Sequence, residues 1–406
     1  MTTETLREEA RDLLDDLVSI RRTLHQWPEL GNHLPVTRET VLGALEGLPL
    51  DLTLHETTSG IVGMLTGAKP GPTVLLRGDM DALPMPEDTG LDFASKVDNA
   101  MHACGHDTHT AMLVGAARLL SRRAADLPGR VMFMFQPGEE GHAGAKFMLE
   151  EGLLSVGPHA VDGSDSPVTG AFAMHITSSI PTGFVSTRPG PCMASSDSMR
   201  IVVTGRGGHA SEPHRALDPI PVACEIVQAL QTMVTRSIDV FDPTIVTVAK
   251  IVAGTTTNVI PETAEIVGTI RAVSERTRMK VHDGIRRVAE GVAAAHAASV
   301  DVQVTLGYPV TVNGADFTDF SMGVATDLLG ADRVIRLPNP VMGAEDFSYV
   351  IERVPGTMMF LGGTPHDRSL ATAAPNHSNR VYFDESAMTD GVATYAAVAL
   401  RHLGLS

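Results

Sequence analysis

The sequence has few cysteines, a shortage of basic residues and no long apolar run, and each of these absences excludes a class of protein. Only three cysteines occur among 406 residues, a small and odd number that argues against a disulfide framework. Lys and Arg number 31 against 48 Asp and Glu, which gives a formal charge of −17. Because nucleic-acid binding depends on clustered basic residues, this balance argues against a nucleic-acid partner.

The N-terminal segment and the hydrophobic runs argue against export and membrane insertion. Residues 1–16 are acidic and amphipathic, whereas a signal peptide combines a basic segment with an apolar run. No uninterrupted apolar stretch reaches the length of a membrane-spanning helix. We therefore predict a cytoplasmic protein with no membrane partner, in which a cysteine of special importance is a metal ligand or a nucleophile.

The chain length favours two domains, because single hydrophobic cores stop growing at about 250 to 300 residues. An amphipathic helix is predicted at the start of the chain, ending before Pro28. Short apolar runs then alternate with helical patterns: buried strands are predicted at 60–65, 73–77, 130–136 and 170–175, and a helix at 110–122. This alternation predicts an α/β domain with a mostly parallel central sheet.

The predicted order of strands and helices changes after the turn-rich residues 189–191. Strands are predicted at 198–204, 244–252 and 262–271, and helices at 216–236 and 274–298. This is the β-α-β-β-α-β order of a small α+β domain. The α/β texture resumes at 316–329 and ends with a helix at 384–403. We therefore predict a discontinuous domain, 1–190 and 307–406, interrupted by an inserted domain at 191–306.

Acidic and histidine residues follow the predicted strands of the larger domain. Asp79 and Asp81 follow one strand, Glu139 and Glu140 follow another, and His175 ends a third. Open α/β sheets place their sites outside the carboxyl ends of the strands. Between the first two strands lies the segment HACGHD, residues 102–107. Clustered thiol, imidazole and carboxylate groups of this kind indicate a metal site.

Several of these residues have structural alternatives. Cys104 by itself would be interpreted as a small buried hydrophobe, and only its histidine neighbours favour a ligand. Spacing does not decide which of the nearby imidazoles bind metal. Glu139 and Glu140 by themselves fit a solvated turn or the start of a helix, but the preceding strand and tight turn direct both toward the sheet edge. We interpret the isolated His25, His55 and His282 as surface or capping residues.

Six segments carry a resemblance to a known family. They are RGDMDALP (77–84), MHACGHDTHTAML (101–113), FQPGEEGHAGA (135–145), GRGGHASEPH (205–214), NVIPETAEIVGTIR (258–271) and GAEDFS (343–348). In this order they resemble the metallopeptidase family of aminoacylases and glutamate carboxypeptidases, in particular its amidohydrolase branch of hippurate hydrolases and indole-acetyl-amino-acid hydrolases. The resemblance implies a catalytic α/β domain with a binuclear metal site, interrupted by a lid domain that can mediate dimerisation.

The resemblance also implies roles for individual residues. Glu139 would be the general base, taking a proton from water and passing it to the leaving amine, and Asp81 would orient a ligand. Two divalent cations would activate the water and polarise the scissile carbonyl. The implied metal ligands are Cys104, His106, Glu140, His175 and His377.

The resemblance assigns three residues of the insert to the substrate. His209 would stabilise the oxyanion or the substrate carboxylate, from its own chain or from a dimer partner. Asn258 and Arg271 would hold the free carboxylate, for which a guanidinium is well shaped. The alternative for these two is a strand-end Asn and a surface Arg.

The expected activity is hydrolysis of small N-acyl amino acids. Many relatives carry a bridging aspartate and a His-x-Asp pair where this chain has Cys104 and the segment RGDMD. Because a thiolate is softer than a carboxylate, zinc, manganese, cobalt and nickel all remain open. The alternatives are a dipeptidase or N-acetyl-diamino-acid deacetylase of the same family, and a metal-free binding protein.

Overall fold

The computed structural model describes residues 3–405 and divides them into two compact units. Unit 1 comprises the described residues up to Gly190, Val312–Pro338 and the described residues from Asp346 onward. Unit 2 comprises Pro191–Thr311 and Asn339–Glu345. The predicted insert was 191–306, whereas unit 2 continues to Thr311 and includes a short segment from much later in the chain.

Unit 1 contains most of the helices and the larger sheet. Its helices are α1 (Thr3–Asp12), α2 (Leu14–Gln26), α3 (Pro35–Leu45), α4 (His106–Ser121), α5 (Gly144–Glu150), α8 (Ala315–Leu329), α9 (Ser348–Ile351) and α10 (Ala387–His402). Its strands are β1 (Asp51–Leu54), β2 (Ile61–Thr66), β3 (Lys69–Asp79), β4 (Pro128–Gln136), β5 (Val168–Pro181), β6 (Val185–Thr187), β15 (Val334–Arg336) and β16 (Gly356–Thr364).

Unit 2 contains the elements that follow one another from Ser196 to Tyr308. Its strands are β8 (Ser196–Thr204), β9 (Gly208–His209), β10 (Thr244–Ala253), β11 (Val259–Ile260), β12 (Thr263–Ala272) and β13 (Ser299–Tyr308), and its helices are α6 (Pro219–Ser237) and α7 (Glu275–Ala295). Two short strands, β7 (Gly190–Met193) and β14 (Thr311–Asn313), lie at the boundaries of the units.

The large sheet has the order β1-β2-β4-β3-β5-β16-β6-β15. The four central strands β4, β3, β5 and β16 pair in parallel, and antiparallel pairs occur toward both sides. Side chains alternate between the two faces. Leu76 and Phe133 face a core shared with α4 and α10, whereas Leu75 and Met132 face a second core shared with α5 and α9. Helices thus cover both faces, and the predicted α/β class with a mostly parallel sheet is confirmed.

The sheet of unit 2 has the order β10-β12-β8-β13, with every pair antiparallel. Buried residues of α6 and α7, among them Ile226 and Ile285, share a core with Ile201 and Ile266 of the strands. Two helices therefore pack on a four-stranded sheet, as the β-α-β-β-α-β pattern predicted.

Three local details differ from the predictions. The opening helix is two helices, because Leu13 bonds its N–H to the carbonyl of Ala10 in a tight turn; both helices face one core, so the apolar periodicity hides the break. Helix α6 begins at Pro219, since the Asp218 carboxylate caps it by accepting the N–H of Ile220. Strand β16 was not predicted, although it lies between β5 and β6. Among residues 3–405, no helix combines the length and apolar character needed to span a bilayer.

Candidate metal centre

Cys104 lies in the loop that precedes α4, and a glycine allows that loop to approach β5. Gly105 has a φ of 93°, and a Cβ at this position would lie 2.3 Å from Cγ2 of Ile176. Only glycine therefore fits. His106 is the first residue of α4. The turn places the thiol of Cys104 and the imidazole of His106 beside the strand that carries His175.

The other predicted ligands surround the sulfur atom of Cys104. Sγ lies 3.3 Å from Nε2 of His175 and 3.2 Å from Nε2 of His377. Cys104 belongs to two groups whose donor atoms lie within 4.8 Å of one another, one with His106 and His175 and the other with Glu140 and His377. Four separate segments of the chain thus meet here. The two groups therefore share one donor atom, the sulfur of Cys104.

Two of the imidazoles are held in the tautomer that metal binding requires. Nδ1 of His106 lies 2.8 Å from the carbonyl oxygen of Asp81, and Nδ1 of His175 lies 2.7 Å from that of Ile176. A carbonyl only accepts, so Nδ1 carries a proton, which leaves Nε2 as the nitrogen that can lose its proton and bind a metal ion. Nε2 of His106 is buried and makes no hydrogen bond with any described residue. A metal ion would satisfy this nitrogen, and the mixed S, N and O donors fit a transition-metal ion.

The electrostatics of the cluster favour positive charge. Burial by itself lowers the pKa of His106, but the charges of Asp79 and Cys104 and the hydrogen bonds with Asp81 and Cys104 together outweigh burial, and the pKa lies well above its ordinary value. Hydrogen bonds to Cys104 and Glu140 raise the pKa of His377 to about 10. Burial alone would raise the pKa of Glu140, yet its hydrogen bonds with His377 and Cys104 and the charges of His106 and His377 together lower it. A cation can replace the protons that these groups attract.

Asp81 fixes the turn that carries both glutamates. Its carboxylate is buried and accepts the backbone N–H groups of Glu139 at 2.8 Å and Glu140 at 3.0 Å. Oε2 of Glu139 lies 4.0 Å from Nε2 of His106. Glu139 and Glu140 also form a group with His106 that could hold a metal ion. The turn therefore brings two carboxylates to the same imidazole.

Asp79 and His109 form a buried hydrogen-bonded pair next to the proposed ligands. Neither residue had a role assigned from the sequence. Nδ1 of His109 lies 2.6 Å from Oδ1 of Asp79, and its Nε2 accepts the backbone N–H of Ile176 at 2.7 Å. The guanidinium of Arg77 lies 2.8 Å from the other oxygen of Asp79. These residues hold the strand next to His175. The i,i+3 spacing of His106 and His109 on a helix was the available signal.

The three predicted substrate residues belong to unit 2. His209 lies on β9 and is exposed, and its Nδ1 accepts the N–H of Ser211. Asn258 is also exposed, and its carbonyl accepts the N–H of Ala210. Arg271 is half-buried on β12. His209 pairs with Val259 across strands β9 and β11, so His209 and Asn258 lie close together in space.

The interpretation of three histidines as surface residues is wrong. His25, His55 and His282 are all buried. Each imidazole is paired with a carboxylate: His25 with Asp107, His55 with Glu151 and His282 with Asp197. A buried imidazole needs such a polar partner, and these partners lie 82, 96 and 85 residues away in the sequence, beyond the reach of local patterns.

Comparison with known proteins assigns the family. The family model described as Peptidase family M20/M25/M40 matches residues 75–401. The chain belongs to this family. It is accordingly a metal-dependent amide hydrolase, which confirms the enzyme class expected from the sequence. The alternative of a metal-free binding protein is thereby set aside.

Curated relatives match along most of the chain. Thermostable carboxypeptidase 1 of Saccharolobus solfataricus is 38% identical over 98% of both chains. N-acetylcysteine deacetylase of Bacillus subtilis is 38% identical over 85% of this chain and 88% of its own. IAA-amino acid hydrolase ILR1-like 4 of Arabidopsis thaliana is 36% identical over 97% and 87%. These relatives match over most of the chain, although their names describe different substrates.

A solved relative at 33% identity is described as a metal-binding peptidase. The Bacillus subtilis protein YXEP, described as a dinuclear metal binding peptidase from the M20 family, is 33% identical over 98% of this chain and all of its own, with a TM-score of 0.82.

Proposed function

We propose that this hydrolase cleaves N-acyl amino acids into a carboxylic acid and a free amino acid. The observation that carries the proposal is the convergence of Cys104, His106, Glu140, His175 and His377, with Glu139 beside them. The relatives named as an acyl-cysteine deacetylase and an IAA-amino acid hydrolase support the substrate class.

We propose that these five residues hold two divalent cations, with Cys104 shared between them. Bound cations would lower the pKa of a water molecule and polarise the scissile carbonyl. Zinc, manganese, cobalt and nickel all suit a set of thiolate, imidazole and carboxylate donors. Elemental analysis of the purified protein would identify which of these metals it binds.

Glu139 is the proposed general base. Its backbone is fixed by Asp81, and its carboxylate lies beside the imidazole of His106 without being needed in the five-residue ligand set. It can therefore take the proton from water and deliver it to the leaving nitrogen. Asp81 acts through the turn, because it positions both Glu139 and Glu140.

We also propose roles for unit 2. His209 would stabilise the oxyanion or the substrate carboxylate, while Asn258 and Arg271 would bind that carboxylate. The exposure of His209 and Asn258 leaves their polar side chains open to a ligand. The guanidinium of Arg271 offers paired donors that match a carboxylate.

The test of the proposed activity is a substrate panel on protein reconstituted with each of the four metals. Hippurate, N-acetylcysteine, an indole-acetyl amino acid and unblocked dipeptides are compared by kcat/KM, with Glu139→Gln as the blank. We expect the acylated amino acids to be the better substrates. We expect Glu139→Gln to bind metal normally and to lose about 10²- to 10⁴-fold in turnover. Surviving activity in this variant would refute the assigned base.

A second candidate is a dipeptidase or a deacetylase of acetylated diamino acids. The 38% identity to a carboxypeptidase favours keeping the peptidase candidate. In the same panel, a preference for substrates with a free α-amino group would establish the peptidase. An N-acetyl-diamino acid added to the panel tests the narrower deacetylase, which a preference for this substrate over hippurate would establish.

We further propose a cytoplasmic homodimer in which the insert acts as lid and dimerisation domain. Strand β10 is an edge of its sheet, and Ile251 and Val252 on it are about half exposed. Such an edge can pair with another chain. Analytical ultracentrifugation should show a dimer that Ile251→Lys dissociates. The control, Leu306→Lys on the opposite edge strand β13, should leave the dimer intact.

The proposed cytoplasmic location is supported by the cysteines. All three are free thiols, which is consistent with a reducing compartment.

A further inference from the structure

Asn376 makes hydrogen bonds to two other segments that carry proposed ligands. Its Nδ2 donates to the carbonyl oxygen of Cys104 at 3.2 Å and to that of Ile176 at 3.0 Å. Its Oδ1 accepts the backbone N–H of Ser178 at 3.0 Å. These partners lie 272, 200 and 198 residues away in the sequence. One amide side chain therefore connects the Cys104 loop, strand β5 and the loop that carries His377.

The contact with Ile176 bears directly on the ring of His175. The carbonyl oxygen of Ile176 accepts both Nδ1–H of His175 and the amide of Asn376. The N–H of the same residue donates to Nε2 of His109. The backbone of Ile176, which orients the His175 imidazole, is thus held at both its N–H and its carbonyl oxygen. Removal of the Asn376 amide would leave this carbonyl oxygen with the His175 bond but without its tie to the loop that carries His377.

His377 depends on the same connection. It lies between β16 and α10 in a stretch, 365–386, without helix or strand. Its φ is 66°, an unfavourable value for a residue other than glycine. Its backbone N–H donates to the carbonyl oxygen of Ala103 at 2.8 Å. Because the side chain is half exposed, packing does little to hold it, and these backbone links set its place.

We propose that Asn376 is a positioning residue that sets the spacing of Cys104, His175 and His377 for two cations. This inference rests on the metal centre proposed above. Asn376 does not itself reach the cations in this arrangement, since its amide atoms are all engaged with the backbone and with Ser178. Its effect should therefore appear in metal affinity and ligand geometry before it appears in turnover.

The experiment measures how tightly cobalt binds to the full-length wild type and to three full-length variants at Asn376. Asn376→Asp keeps the acceptor but loses both donor bonds, Asn376→Ala loses all of them, and Asn376→Ser retains a small polar group should the alanine variant fold poorly. Cobalt affinity is measured by competition with a chelator, and the thiolate-to-cobalt and ligand-field absorption bands report the geometry. We expect an affinity about 10- to 100-fold weaker for at least one cobalt ion, with altered bands.

Asn313 offers a matched control. Its amide also ties separate backbone segments together, donating to the carbonyls of Arg188 and Met358 and accepting the N–H of Met358. None of these partners is a proposed ligand. Asn313→Asp should lower stability while leaving cobalt affinity and spectrum as in the wild type.

The outcomes separate the two proposals. Wild-type cobalt binding and spectrum in folded Asn376 variants would overturn the positioning role, whatever their activity. An equal loss in Asn313→Asp would overturn it too, because the effect would then be general. Failure of the wild type to bind two cobalt ions would overturn the metal centre itself. Turnover of an unexpected substrate would change the proposed function and leave the positioning role standing.

Discussion

The carboxylate of Asp81 accepts the backbone N–H of Glu139 at 2.8 Å. Its second oxygen accepts the N–H of the next residue, Glu140. One buried carboxylate thus fixes a turn that carries both a proposed base and a proposed ligand. The arrangement separates two tasks, since Asp81 shapes the backbone while the carboxylates of both glutamates lie 4.0 Å from Nε2 of His106.

Asp81→Asn should therefore impair catalysis by misplacing the turn. The asparagine amide has only one oxygen to accept the two backbone N–H groups. Its NH₂ group would face the other N–H, and two donors cannot form a hydrogen bond with each other. We expect kcat to fall by about 10- to 100-fold, as measured by steady-state kinetics on protein with full metal content.

The matched control for Asp81 is Glu151→Gln. The two oxygens of Glu151 likewise accept successive backbone N–H groups, those of Glu56 and Thr57. Glu151 lies in none of the donor groups that could hold a metal ion, so its substitution should leave kcat within about twofold. A comparable loss in both variants would show that the Asp81 effect is nonspecific.

Cys104→Ser should weaken metal binding, and Cys104→Asp should change its selectivity. A hydroxyl is a poor substitute for a thiolate that both donor groups share, so we expect at least the 10- to 100-fold loss that outer-shell changes produce. A carboxylate is harder than a thiolate and should raise manganese occupancy relative to zinc. Metal content after exposure to equimolar mixtures measures both effects.

Cys224→Ser provides the same chemical change at an exposed position of α6. It should retain the metal content and selectivity of the wild type. Unchanged metal binding in Cys104→Ser would contradict the assignment of the shared ligand.

Metal removal should destabilise the protein. The metal-binding form is the folded one, so a cation at 100 times its Kd adds about 2.7 kcal/mol to the free energy of unfolding. Calorimetry should show a Tm that falls with chelator and recovers when zinc is returned. In His175→Ala the recovery should be smaller, because one proposed ligand is missing. His159→Ala, an exposed histidine, should recover fully. A Tm independent of chelator would argue against tight metal binding.

Asp197 should stabilise unit 2 in a pH-dependent way. Burial alone would raise its pKa, but hydrogen bonds from Arg278 and His282 outweigh burial and hold the pKa well below the ordinary 3.8. Because the folded pKa is depressed, the contribution is complete above the unfolded value and is lost as the pH falls through the folded one. Asp197→Asn leaves the buried Arg278 without its main partner, so we expect a loss of about 3 to 5 kcal/mol near neutral pH.

The difference between wild type and Asp197→Asn should be constant from about pH 7 to pH 5 and shrink below about pH 4. The single tryptophan, Trp27, belongs to unit 1, so hydrogen exchange of unit 2 amides is the suitable measurement. Glu265→Gln removes an exposed partner of Arg200 in the same sheet and should cost less than about 1 kcal/mol. A difference that grows on acidification would contradict the sign.

Local sequence patterns predicted much of the fold and the region of the candidate metal site. Apolar runs predicted strands β2, β3, β4 and β5, and acidic and histidine residues at their ends predicted the site. The five proposed ligands were named through the resemblance, and His377 in particular had no local signal. The break at Leu13 and the strand β16 escaped prediction, because a shared core hides a turn and a sheet neighbour is chosen by contacts far along the chain.

By itself, the sequence indicated where along the chain the candidate site residues lie and that an α/β domain is interrupted by an α+β insert, because periodicity and residue type are local properties. Only the tertiary structure decided that His109 bonds to Ile176, that Asn376 links Cys104 to β5, and that His25, His55 and His282 are buried with carboxylates. Each of these contacts joins residues separated by tens to hundreds of positions. Their free energy exists only once the chain has closed those loops, so no local pattern records it.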